Sequence, residues 1–135
     1  MGTIGDGGNT HPFTLDIRLG VNENISCYFK AFDDPSMGYR GSAGEAQSLV
    51  LRDGVTDQIA FLALSRWLDS VIAGSSRRET LVVTEMKGTK ILRSVEFLDG
   101  FPISKTHATE GRGHYLGIKE LAFGFSHFVK PRLGG

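Results

Sequence analysis

The chain has 135 residues, 40% hydrophobic and 22% charged, the make-up of a globular domain whose core needs neither disulfides nor a structural metal. Lysine plus arginine total 15 and aspartate plus glutamate total 15, so no net positive field draws nucleic acid without sequence specificity. No apolar stretch approaches the roughly 18 residues of a membrane span, and Met1 to Thr10 lack the basic-then-apolar pattern of a signal peptide, which predicts synthesis and assembly in the cytoplasm.

Residues 1–11 open with Gly2, Gly5, Gly7 and Gly8, which predicts a flexible arm ahead of one domain at 12–130 and a short tail at 131–135. From Phe13, the residues Leu15, Ile17 and Leu19 alternate with Asp16 and Arg18, the period of a half-buried strand that ends at Gly20. Ile25 to Phe32 is a second strand, joined to the first as a hairpin. Cys27 lies within it without a partner cysteine and reads as a small buried hydrophobe.

Asp33-Asp34-Pro35-Ser36 breaks that strand, and the polar, glycine-containing stretch to Ala46 reads as a long projecting loop, a length that in compact domains usually carries function. Ser48 to Arg52 resumes a strand and Gly54 is expected to turn the chain. Thr56 or Asp57 then caps a helix running to Ala73, with Gly74 beyond its end. Ile59, Leu62, Ala63, Trp67 and Val71 follow the spacing of a buried face, which Leu64, Leu68 and Ile72 widen.

Three more strands are expected: Thr80 to Met86, Lys90 to Leu98, and Tyr115 to Val129. Lys87-Gly88-Thr89 closes the first two into a hairpin. Thr106 to His114 reads as a polar loop. In the last strand Leu121, Phe123 and Phe125 face one way, and the small residues Ala122, Gly124 and Ser126 face the other, implying close approach by another element or chain. Three strands, one helix and three strands predict a mainly β (α+β) fold, an antiparallel sandwich or barrel with one packed helix.

The residues offer little for chemistry. His11, His107, His114 and His127 lack zinc-site spacing. Gly111-Arg112-Gly113-His114 lacks the lysine and hydroxyl of a phosphate loop. No Gly-x-Ser-x-Gly elbow occurs, and adjacent Asp33 and Asp34 make a poor catalytic pair. The expectation is therefore a protein that is not an enzyme.

The segment Leu49-Val50-Leu51-Arg52-Asp53-Gly54-Val55-Thr56-Asp57, leading into a helix with Trp67-Leu68, resembles the signature of phage and phage-like tail-tube proteins. The resemblance continues through Arg77 to Val83, Val95 to Pro102 and Ile118 to Phe123, so that it covers about Leu49 to Phe128. It implies a subunit of hexameric rings, stacked as the inner tube of a contractile phage tail or injection system.

Its implied partners are copies of itself, sheath and baseplate proteins, and cargo or DNA passing through the lumen without sequence recognition. It implies no cofactor and a place in a virion or released phage-like particle. Two departures, a shorter segment before Leu49 and the glycine-rich start, leave open a tube-initiator ring at the baseplate or a divergent injection-system tube; a type VI secretion ring protein, less similar around Val55-Thr56, is a further alternative. A small-ligand-binding β-barrel is the alternative from another class. Contact candidates between subunits or rings are Asp33, Asp34, Met37, Tyr39, Arg40, Glu45, Arg112, Gly124 and Ser126, with Trp67 and Leu68 packing the helix.

Overall fold

A computed structural model describes residues 10–20, 23–35, 47–107 and 115–129. In chain order the elements are β1 (Phe13–Gly20), β2 (Glu23–Asp33), β3 (Gln47–Asp57), α1 (Gln58–Ile72), β4 (Glu79–Lys87), β5 (Lys90–His107), β6 (Tyr115–Phe125) and β7 (His127–Val129). The expected alternation holds in β1, where Leu15, Ile17 and Leu19 are buried and Asp16 and Arg18 exposed.

Neighbouring strands run β4-β1-β2-β3-β6-β5, and a further β4–β5 pairing joins the two ends. Every pairing is antiparallel. The six strands therefore close into a barrel, with β7 as a short addition to β5. Closure satisfies most of the backbone edge groups that an open sheet would present.

Two strands are longer than the sequence pattern predicts. β3 runs through Gly54, which does not turn the chain; it pairs with Phe29 on one side and Ile118 on the other. A Cβ at this position would overlap the Phe29 ring and the Tyr28 carbonyl, so the site takes only glycine. The change of direction falls one residue earlier, at Asp53 with φ 57°, and there the buried set shifts from Leu49 and Leu51 to Gly54 and Thr56. Aspartate is among the few residues that adopt this left-handed region readily.

β5 likewise passes its expected end at Leu98 and absorbs the start of the expected loop at Thr106. Asp99 also takes φ 57°, and the β4–β5 register gains a residue between Leu81↔Phe97 and Glu79↔Gly100. Such a bulge bends a strand. Here it carries β5 from pairing with β4 to pairing with β6 over Phe101 to His107. Pro102 is accommodated because the β5–β6 register shifts immediately after it. The expected last strand divides at Ser126 into β6 and β7.

The core fills the barrel interior with Phe29, Phe97, Phe123 and aliphatic neighbours. Phe97 meets Phe125 edge-on at 4.9 Å and Phe32 at 6.0 Å, geometries that favour aromatic pairs. α1 leaves from the end of β3 and returns through residues 73–78 to the start of β4. Asp57 caps it by accepting from the Ala60 N–H at 2.7 Å, and Gly74 with φ 107° follows its last turn.

The helix keeps Ala63 and Trp67 on its buried face as expected, with Val71 packed against the core, but Ile59 and Leu62 fall outside it. Ala60, Ala63, Leu64 and Trp67 face the core, whereas Ile59 and Ile72 stay 77% and 74% exposed and Leu62 is exposed too. The two alanines let the helix backbone lie close to the barrel, and Leu64 and Trp67 supply the bulk that reaches into it.

Candidate assembly surface

Asp33 and Asp34 sit at the root of the expected loop, and both are held by arginines. Asp33 accepts from Arg52 Nη1 at 2.5 Å, while Arg52 Nε donates to Glu120 at 3.2 Å, which lays a charge ladder across β2, β3 and β6. These side chains are largely solvated, so water and salt screen the pairs and they add little to stability. The Asp34 carboxylate is nearly enclosed and pairs with Arg93, which also donates to Glu85 at 2.7 Å. The root of the loop is thus fastened to β4 and β5. Met37, Tyr39, Arg40 and Glu45 lie outside the described residues, as does Arg112.

Gly124 has its small-residue role within the chain itself. The Phe101 ring lies where a Cβ would project, and the Arg78 guanidinium stacks over that ring at 4.2 Å, a cation–π arrangement. The partner implied by the small face is therefore β5 of the same chain.

Ser126 separates β6 from β7. Its N–H donates to the Leu98 carbonyl at 3.0 Å, and its hydroxyl donates to Asp99 at 2.7 Å and lies 2.8 Å from His127 Nδ1. These bonds place β7 beside the bulge in β5. Trp67 is buried against Phe123, with ring centroids 6.0 Å apart, and its Nε1–H donates to the Arg77 carbonyl at 3.4 Å. Leu68 is half-buried.

Several surface features escape the sequence reading. Ile91, Leu92, Ile103 and Val129 are exposed on β5 and β7. The pair Ile91-Leu92 beside a hairpin turn was the available signal, because consecutive residues on a strand face opposite ways and both cannot be core. At the far end of β5, Lys105 lies over the Phe61 ring at 3.9 Å and donates to His107 Nε2 at 2.9 Å. Burial lowers the Lys105 ammonium below its ordinary pKa, against an opposing pull from Asp69. This cluster ties β5 to α1.

Cys27 is buried as expected. Its thiol donates to Thr56 Oγ1 at 3.4 Å, and burial first of all pushes its pKa up to about 12. Thr56 in turn donates to the Ser26 carbonyl at 3.1 Å.

No protein-family model matches the sequence, and no curated protein is significantly similar to it. Among solved structures, the chain is similar to one from the sheath-tube complex of PVC, an extracellular contractile injection system, in the extended state. The TM-score is 0.55 at 13% identity, covering 90% of this chain and 88% of that one. A chain from the tube-terminating cap of the anti-feeding prophage aligns over 90% of this chain and 89% of its own, at 14% identity and TM-score 0.48. The first of these shows a shared fold.

Proposed function

We propose that this chain is a structural subunit whose copies form rings that stack into the inner tube of a contractile injection system or phage tail. The observation that carries the reading is the fold likeness over 90% of the chain to a component of a sheath-tube complex. The barrel itself is compatible with a structural role, since its interior is occupied by Phe29, Phe97, Phe123 and their aliphatic neighbours. The same packing disfavours a small-ligand-binding barrel.

On this reading the rings are homohexamers, assembled in the cytoplasm. Their partners are sheath and baseplate proteins, and cargo or DNA passes through the lumen. A tube-initiator ring at the baseplate is the finer alternative. The loop bearing Met37, Tyr39, Arg40 and Glu45 is assigned to contacts between successive rings, with Asp33 and Asp34 fixing its base.

Light scattering coupled to size exclusion, with electron microscopy of the same fractions, tests the reading. Rings or tubes of the purified chain are expected at high concentration. A protein that stays monomeric under every condition tried would refute it.

A further inference from the structure

The outer face of α1 carries aliphatic side chains that the barrel does not use. Ile59, Leu62 and Ile72 are exposed there, and so are Arg66, Asp69 and Ala73. At 3.6 residues per turn these positions lie away from Ala60, Leu64 and Trp67, which face the core. Large aliphatics on the solvent side of a helix add nothing to the packing of their own subunit, and they suit contact with a second surface.

The charges on this face are uncommitted as well. Arg66 and Asp69 stand three residues apart, yet neither makes an ion pair among the described residues. Asp69 feels Lys105 of β5, but that ammonium is turned onto Phe61 and His107. The order along the helix axis then decides what fits. From the N-terminal end the face reads Leu62, Arg66, Asp69, then Ile72 and Ala73. Turned end for end about a midpoint between Trp67 and Leu68, the same series sets cation on anion and apolar on apolar. Arg66 of each helix falls opposite Asp69 of the other, and Leu62 falls opposite Ala73, beside Ile72. A parallel helix in register would set Arg66 on Arg66 and Asp69 on Asp69. The chain as a whole carries no net charge, so two copies approach without mutual repulsion.

We propose that the outer face of α1 docks on α1 of a second copy, the two helices antiparallel about a twofold axis. Two reciprocal Arg66–Asp69 pairs set the register, and Leu62, Ile72 and Ala73 lose their exposure to water. The same patch serves both copies, so the contact closes at two. It is therefore separate from any contact that repeats around a ring or along a tube, and it does not depend on the tube reading. A contact built on one 15-residue helix is smaller than a standard protein interface, so the pair forms reversibly and at high concentration.

The test uses the full chain with Leu62→Cys and Ala73→Cys together, oxidised at high concentration. Cys27 is buried and stays out of the reaction. A covalent dimer with nothing larger is the expected product on a denaturing gel, and each single variant should remain monomeric. Adding Arg66→Asp or Asp69→Arg to the double-cysteine chain should abolish the dimer. Mixing the two reversed chains should restore it, since opposite charges face each other again. Both reversals lie at exposed positions, so the far-ultraviolet spectrum and Tm should stay near those of the parent. A dimer indifferent to either reversal, a mixture that stays monomeric, or a ladder beyond the dimer would overturn the helix contact. Rings or tubes in micrographs without the covalent dimer would overturn it too and leave the tube reading standing, whereas charge-dependent dimers that never form rings would do the reverse.

Discussion

At the scale of single residues, Trp67 shows how far a sequence can speak. A tryptophan on a helix facing a β-rich chain is a core residue by mass and spacing, and here it is 2% exposed against Phe123. Trp67→Ala should cost about 3 to 5 kcal/mol in denaturant unfolding. Gly54 was misread because glycine marks both turns and close approaches, and only the three-dimensional position of Phe29 separates the two. Gly54→Ala should destabilise the protein by about 1 to 3 kcal/mol, and Phe29→Leu in the same chain should recover part of that loss. Cys27 gives a prediction in pH. Its pKa rises on folding from the ordinary 9.0 to about 12, so the stability it contributes is complete below pH 9.0 and is lost as pH rises toward about 12. Stability measured above pH 9.0 should fall less steeply in Cys27→Ala than in the wild type.

At the scale of elements, local rules predicted where structure begins better than where it faces or stops. Asp57 was readable as a cap, and its carboxylate does bond the Ala60 N–H; Asp57→Ala should cost about 0.5 to 2 kcal/mol of thermal or denaturant stability. The helix face was less legible, because apolar residues spread well beyond one face of α1 and Ile59 and Leu62 border its polar stripe of Gln58, Ser65, Arg66, Asp69 and Ser70. Ala63 and Trp67 are buried as expected, but Ala60 and Leu64 take the places expected of Ile59 and Leu62, and the two alanines allow a close backbone approach to the barrel. β5 was cut short at Leu98 because Asp99-Gly100 and Pro102 look like turn chemistry. In the folded chain the same residues form a bulge, and a bulge and a turn use similar left-handed backbone.

At the scale of the whole molecule, the fold class and the strand-helix-strand order were legible, while closure was not. Closure depends on β4 pairing with β1 and β3 pairing with β6, contacts between distant segments that no local pattern encodes. The candidate surfaces divide the same way. The loop could be proposed from composition, but the arginine clasps on Asp33 and Asp34 came only with the structure. Because those clasps hold the root independently of what lies beyond, removing residues 37–45 should leave a folded subunit with a near-native Tm. Under the tube reading it should also abolish stacking of rings in electron micrographs, and tubes of normal length would rule out that role for the loop.

The β3–β6 ladder has a consequence for timing. Gln47 pairs with Phe125 and Asp57 with Tyr115, so the barrel cannot shut until the chain through Phe125 has left the ribosome. Until then β5, β4, β1, β2 and β3 can form only an open five-stranded sheet whose two outer strands, β5 and β3, still lack β6. Topologies dominated by such distant pairings fold slowly, typically in milliseconds to seconds. A nascent chain therefore spends its synthesis with the barrel open, and the emergence of β6 sets the moment at which it can close.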